Sequence, residues 1–472
     1  MIATLIGAAL LQGAVFESPR RNFTSGDPAP DTVLIAPAGS MQDRWAWAER
    51  TVRGRYDTFW VGWTVPGDPT GAQWYYIDRG VPVRVGTSVV TGTFQTSGSV
   101  GGLRFEGEPM ASVVGQRDMH ETTILLRYEM AGGTATLTRL HVGSFAFPVH
   151  FDGGALMWLG AGDDAGSVDL VRGAYADTDE DWAKRDLVSA VATHRTAAVA
   201  SPVLRDWLAD VSAPAAARRT AADGLAAIGD PDAVSALRSA ARNDTSASVR
   251  SGAARALARS ADAGTAIAEL TRIAREDPDR GVRRTAVTSI GSIPDQSAFD
   301  ALVAIIEAPP DTAASATRRT ALTTVVAQSR QPSSPASQPV LDLLDRVAGT
   351  DTVAAVRRQA ISSLASLRDP RVTPLLARLA ATHADAATRR AATIALSNAE
   401  PRANALATLR NLAWEHESVD TQRAAVTALT RMQGDDVRKL LAELAENHPR
   451  SDVRRSSLRA VLDMDTRAAG GS

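Results

Sequence analysis

A nine-residue phrase, clearest as Val356-Arg357-Arg358-Gln359-Ala360-Ile361-Ser362-Ser363-Leu364, returns through the last two thirds of the 472-residue chain. It begins at Ala183, Ala217, Val249, Val282, Thr317, Val356, Thr388, Thr421 and Val453, at intervals of 34, 32, 33, 35, 39, 32, 33 and 32 residues. Self-similarity at that period marks a stack of helical pairs, because one pair cannot cover its own apolar face and needs a neighbour on each side.

The phrase itself specifies a helix. Its first residue is Val, Thr or Ala, its fifth is Ala in seven of nine copies, and its ninth is Leu, Ile or Val in all nine. Positions i, i+4 and i+8 run down one side of a helix, so each copy carries a narrow apolar stripe. A small fifth residue lets the adjacent helix approach closely. The two departures from Ala are Leu187 and Ser457, in the first and last copies, where one face has no neighbour of its own kind.

Positions two and three are basic almost throughout, as in Arg218-Arg219, Arg283-Arg284, Arg318-Arg319, Arg357-Arg358 and Arg389-Arg390. Six residues before the second position stands an Asp in three copies: Asp244 before Arg250, Asp277 before Arg283 and Asp351 before Arg357. A guanidinium fork can hold a carboxylate bidentately, so these three pairs are expected to pin the turns between helices. The third-position residues Arg284, Arg319, Arg358, Arg390 and Arg423 have no such assigned partner.

The turn Asp followed by Val-Arg, with turns such as Gly229-Asp230-Pro231-Asp232-Ala233 and Arg368-Asp369-Pro370-Arg371-Val372, resembles HEAT repeats, in particular the short bacterial kind called PBS-lyase HEAT-like repeats. The resemblance covers roughly residues 155–465. It implies a HEAT-like α-α superhelix, a solenoid of about nine helical pairs, whose first helices line the convex side and whose second helices line the concave side. Six copies lack Asp at the sixth preceding position, so an unbroken Asp-Arg ladder is not implied.

The N-terminal third has another composition. Four of five Tyr and eight of nine Phe lie before residue 155. Short β-branched and aromatic runs bounded by Gly or Pro, and the alternation of residues 134–140 after the Gly132-Gly133 turn, predict a small antiparallel β domain over residues 45–154, sandwich or barrel. The repeat array then occupies residues 155–472, with residues 155–159 and 168–174 in the first helix of its first pair. Residues 15–44, rich in Pro, Gly and Asp, read as a linker. The uncharged stretch before them, apolar from Ile2 to Leu11, reads as a secretory signal over residues 1–14, with a buried first element as the alternative. It is too short to span a bilayer comfortably.

Candidates for chemistry are few. With no Cys, the chain has no disulfide, thiolate ligand or Cys nucleophile. No Gly-rich phosphate loop precedes a helix, and no Gly-x-Ser-x-Gly elbow occurs. His120, Glu121, His141, His150 and Asp152 are the metal-like grouping of the β domain, but without tight ligand spacing they read as ordinary polar residues. Trp45, Trp47, Trp60, Trp63, Trp74, Tyr75 and Tyr76 form either the core of that domain or a sugar platform. Asp163-Asp164 and Asp435-Asp436 stand where helices begin and fit capping groups. The proline-rich stretch of residues 329–339 reads as an enlarged surface loop.

Residues 155–472 hold 39 Lys plus Arg and 39 Asp plus Glu. A nucleic-acid binder would ordinarily show a basic excess, so no nucleic acid is expected. The expected function is a non-enzymatic scaffold binding another protein through the second-helix surface, with Arg284, Arg319, Arg358, Arg390 and Arg423 as contacts. It is expected to be a monomer exported to the periplasm or cell envelope, with the cytoplasm as the alternative, and to have no catalytic, cofactor or metal residue and no membrane span. The alternatives are a lyase-like or glycosylase-like HEAT protein, which the resemblance allows, and a cell-envelope carbohydrate binder acting through the aromatic β domain.

Overall fold

The computed structural model describes residues 30, 32–66, 121–143, 151, 154–194, 196–309, 314–329 and 337–466, and the backbone of 75–78, 81–84, 99–100, 103–104 and 467–470. Residues 1–29, His120, His150, Asp152, Trp74 and residues 330–336 lie outside this set, as do the side chains of Tyr75, Tyr76 and Glu121. The readings of a signal, a metal grouping and an enlarged loop therefore fall largely outside the described residues. The chain divides into two compact units, residues 1–261 and 262–472.

The first unit begins with a mixed sheet rather than an antiparallel one. Its strands are β1 (Thr32–Ile35), β2 (Thr58–Pro66), β3 (Tyr75–Asp78), β4 (Val81–Arg84), β7 (Glu121–Ala131), β8 (Thr134–Gly143) and β9 (Ala155–Ala161), in the order β1-β9-β2-β7-β8-β3-β4. Two short strands, β5 (Ser99–Val100) and β6 (Leu103–Arg104), pair with each other. Strand β9 runs parallel to both β1 and β2, whereas β7 and β8 form the hairpin that the Gly132-Gly133 turn predicts. Among the described residues the seven strands make one sheet, neither sandwich nor barrel.

Two boundaries need correction. Residues 32–44, read as linker, include β1 and the start of helix α1 (Met41–Val52), whose Ser40 and Asp43 form a capping box. Residues 155–159, read as helix, are β9. That strand is buried on both faces except at its last residue, so its sequence ALMWLGA has no alternation to reveal it. A bulge follows where Trp63 pairs with Gly160, whose φ of +81° suits glycine. The side chain of Arg44 donates to the carbonyls of Leu159 and Ala161 at 2.6 and 2.8 Å, fixing α1 to the end of β9.

Nine helical pairs follow. In the first unit these are α2 (Asp164–Ala176) with α3 (Asp181–Ala192), α4 (Ala197–Ala209) with α5 (Ala215–Ile228), and α6 (Pro231–Asn243) with α7 (Ala247–Ser260). In the second unit they are α8 (Ala263–Glu276) with α9 (Arg280–Gly291), α10 (Gln296–Ile306) with α11 (Ala314–Ser329), and α12 (Gln338–Thr350) with α13 (Ala354–Ala365). The last three pairs are α14 (Val372–Thr382) with α15 (Ala386–Ala395), α16 (Arg402–Glu415) with α17 (Val419–Leu429), and α18 (Asp435–Asn447) with α19 (Ser451–Gly470). The repeated phrase lies on the second helix of every pair.

The stripe is the core of the stack. All nine fifth-position residues, Leu187 and Ser457 included, are fully buried, as are the nine first-position residues or nearly so. Within each unit, second helices pack directly on second helices. The contact is close: a Cβ built on Gly291 of α9 would stand 2.2 Å from Cγ2 of Thr324 on α11. Asp163 caps α2 by accepting from the backbone N–H of Gly166 at 2.7 Å, and Asp435 and Asp436 lie in the first turn of α18.

The sheet is joined to the first pair through buried polar groups. The indole N–H of Trp63 donates to the hydroxyl of Ser167 at 2.7 Å. His194, just after α3, has its Nδ1 at 3.0 and 3.1 Å from the carbonyls of Ala190 and Val191, which makes Nδ1 the protonated nitrogen. Its Nε2 is then free to accept from Ser167 at 2.8 Å. Burial pushes the His194 pKa below its ordinary value, partly offset by Asp164 and the two carbonyls.

Candidate functional site

The two basic columns of the second helices separate by role. In five copies the second-position guanidinium reaches back to the backbone carbonyl six residues earlier: Arg250 to Asp244 at 2.9 Å, Arg283 to Asp277 at 2.7 Å, Arg357 to Asp351 at 2.8 Å, Arg389 to His383 at 2.7 Å and Arg454 to His448 at 2.7 Å. The expected pairing between carboxylate and guanidinium within Asp244–Arg250, Asp277–Arg283 and Asp351–Arg357 is thus replaced by a bond to the main chain. The physical reason is that each Asp carboxylate is committed elsewhere.

One of its oxygens accepts from the backbone N–H two residues on, at 2.7 Å for Asp244, 2.8 Å for Asp277 and 2.8 Å for Asp351, closing an Asx turn. For Asp244 and Asp351 the carboxylate also receives the second-position Arg of the preceding copy. Arg218 holds Asp244 with two bonds of 3.0 Å, both side chains buried, and Arg318 holds Asp351. The ladder therefore runs from one repeat to the next.

Three copies place His where others have Asp. In His383, His416 and His448, Nδ1 accepts from the backbone N–H of Asp385, Ser418 and Arg450, each at 3.0 Å. The opposite nitrogen, Nε2, donates to the carbonyl of Gly349, Ala381 or Ala413 in the preceding pair, each at 3.1 Å. Aspartate can only accept and so needs the preceding arginine; neutral imidazole also donates and so takes a preceding carbonyl. Sequence reasoning missed these anchors. Their signal was the recurrence of His at the sixth residue before positions 389, 422 and 454. Because His383 does not need the preceding copy's arginine, Arg357 instead binds Asp385 at 2.8 Å and Thr388 at 2.9 Å. The Thr388 hydroxyl first, and Arg357 second, hold the Asp385 carboxyl well below the usual carboxylate range.

The third-position column is different over α9 to α17, whereas Arg185, Arg219 and Arg455 elsewhere in it bond Asp186, Ser248 and Asp452. Arg284, Arg358, Arg390 and Arg423 are exposed and Arg319 is half-buried. Among the described residues, none of the five guanidinium groups makes a hydrogen bond or ion pair. They sit at equivalent places on α9, α11, α13, α15 and α17. These five helices carry ten arginines, and Asp420 is the one acidic residue among them. The repeat region is neutral in sum, yet these five second helices are strongly basic.

Beside Arg358 lies an open groove of about 910 Å³ lined by α13, the second half of α15 and the segments that follow α13, α15 and α17, Glu400 among them. Ile361, Ile394 and Met432 give it apolar walls, and Arg368 and Arg431 stand exposed at its rim with no side-chain partner among the described residues. Arg368 has φ of +51°, in the left-handed region that non-glycine residues seldom occupy. Helix C-termini meet here, so part of this positive charge complements their carbonyls.

Several of the remaining candidates that are described serve as packing residues. Trp60 and Trp63 are buried in the first unit, and Trp45 packs edge-on against Trp63 and Tyr128 at 6.3 Å. His141 is buried on β8. Trp207 stacks on Tyr175 at 4.3 Å and Trp414 lies 5.2 Å from the His448 ring, both on first helices. Among the described residues no three His, Asp or Glu side chains converge as a metal site, and no helix is long and apolar enough to cross a membrane.

A family model described as HEAT repeats matches residues 201–280, 240–323 and 380–462, and one described as PBS lyase HEAT-like repeat matches residues 356–382. No curated protein sequence matches the chain significantly. Among solved structures, human deoxyhypusine hydroxylase in complex with glycerol is 20% identical over 56% of this chain and 94% of its own, with a TM-score of 0.24. The complex of CpcE and CpcF of phycocyanin lyase from Nostoc is 24% identical over 35% of this chain and 99% of that one, with a TM-score of 0.26. Kap95p bound to RanGDP is 14% identical over 64% of this chain and 45% of that one, with a TM-score of 0.38.

Proposed function

The chain is a HEAT-repeat protein, and on that premise we propose that it is a non-enzymatic scaffold binding another protein through the third-position arginine column of its second helices. The observation that carries this reading is the split between the two columns. Second-position arginines are absorbed into turns and neighbouring repeats, whereas Arg284, Arg319, Arg358, Arg390 and Arg423 are left without internal partners. Among the described residues these five guanidinium groups make no hydrogen bond or ion pair within the fold. A carboxylate-bearing partner surface would satisfy them with charge-assisted hydrogen bonds.

The carbohydrate reading loses support because Trp60 and Trp63 are core residues. An envelope location belongs to the same proposal and is supported by the apolar run from Ile2 to Leu11. The test is purification of the tagged full chain from its native cells, beside a variant carrying Arg284→Glu, Arg358→Glu and Arg390→Glu. One protein retained in fixed ratio by the parent, lost by the variant, and rebound when both are purified is the expected result. Retention by both forms, or recovery only of nucleic acid, pigment or glycan, would overturn it.

A further inference from the structure

We infer that the arginine column binds an acidic segment held as a polyproline II helix, with Asp or Glu at every third residue. The inference deepens the scaffold reading and rests on it, because it names the partner's chemistry at the same surface. Helices packed side by side have axes about 8–10 Å apart. Equivalent residues on α9, α11, α13, α15 and α17, which contact one another in that order, therefore repeat at about that spacing.

Few peptide conformations match it. A β-strand brings same-face residues back at every second position, about 6.6 Å apart. An α-helix returns to one face after three or four residues, about 5.4 Å along its axis. A polyproline II helix has three residues per turn and a rise of 3.1 Å, so one face recurs about every 9.3 Å. Only this last repeat delivers one carboxylate to each successive guanidinium without skipping. It also keeps its backbone solvated, which suits a surface that offers guanidinium donors and no sheet edge.

Nucleic acid fits the same surface less well. The five helices contain no Phe, Trp or Tyr on which bases could stack. The repeat region as a whole also has no basic excess. The groove beside Arg358, walled by Ile361, Ile394 and Met432, is placed to take an apolar side chain from a residue between the acidic positions.

The experiment uses the full chain and three fluorescent 15-residue probes read by anisotropy at low salt. One peptide is five repeats of Glu-Pro-Ser; the second has the same composition with its five Glu residues adjacent; the third probe is an oligothymidylate of equal length. The spaced peptide is expected to bind at least tenfold tighter than the clustered one, and to lose at least tenfold in the Arg358→Glu, Arg390→Glu variant. Thermal unfolding of that variant should match the parent, because neither side chain has an internal partner. Equal binding of the two peptides, or no loss in the variant, overturns the spacing argument while a protein partner found by purification would still stand. Tighter binding of the oligothymidylate overturns both readings.

Discussion

At the scale of residues, the same position six before the second-position cation is filled by Asp in three copies and His in three more, and one requirement explains both. The turn needs a side-chain acceptor for the N–H two residues on, and both Asp and neutral His supply one. His194 obeys a different rule. It is buried with Ser167 and Trp63, its Nδ1–H donating to main-chain carbonyls, and burial lowers its pKa from the ordinary 6.5. The unfolded chain then binds its proton at higher pH than the folded one, so stability from this group is full above about pH 6.5 and falls as pH drops through the folded value. Melting curves of the full chain between about pH 7.5 and 5.5 should show the first unit losing stability. In His194→Gln that dependence should be flatter, and an unchanged slope would remove His194 as its source.

At the scale of elements, helix propensity and packing make opposite demands on Gly291. Alanine is the better helix former by about 1 kcal/mol, but its Cβ would meet Thr324 of α11 at 2.2 Å. Overpacking of a close contact costs about 1–3 kcal/mol, so Gly291→Ala should lower the unfolding midpoint, and adding Thr324→Ser should restore part of the loss. A midpoint raised by Gly291→Ala alone would show that α9 and α11 pack less tightly than described. The second helices were legible in the sequence because the i, i+4, i+8 stripe that defines them is the buried stripe. Strand β9 was not, because ALMWLGA is apolar throughout and a short run buried on both faces has no period. The linker reading of residues 32–44 failed similarly: β1 has four residues, too few to alternate, and its place is set by a partner more than a hundred residues away. The Asp-Arg pairs were read to the right residues but the wrong atoms, since spacing shows that Asp351 and Arg357 meet and not that Arg318 already holds the carboxylate.

At the scale of the whole molecule, the second-position arginines belong to the fold, and the five third-position arginines from α9 to α17 are proposed to belong to a partner. Net charge concealed that arrangement, because 39 bases and 39 acids sum to nothing while the second helices from α9 to α17 hold ten arginines against one aspartate. The assignment is tested most directly by adjacent residues on one helix, Arg357 and Arg358 of α13. The measurement is the thermal unfolding midpoint of Arg357→Ala and of Arg358→Ala, taken with the retention of the partner by each. Arg357→Ala removes bonds to Asp351, Thr388 and Asp385 and should lower the midpoint by about 2–4 °C for each kcal/mol lost, with the partner still retained. Arg358→Ala should leave the midpoint unchanged and weaken retention. Equal losses of stability in the two variants, or a partner held equally well by both, would contradict the division of labour on which the scaffold reading rests.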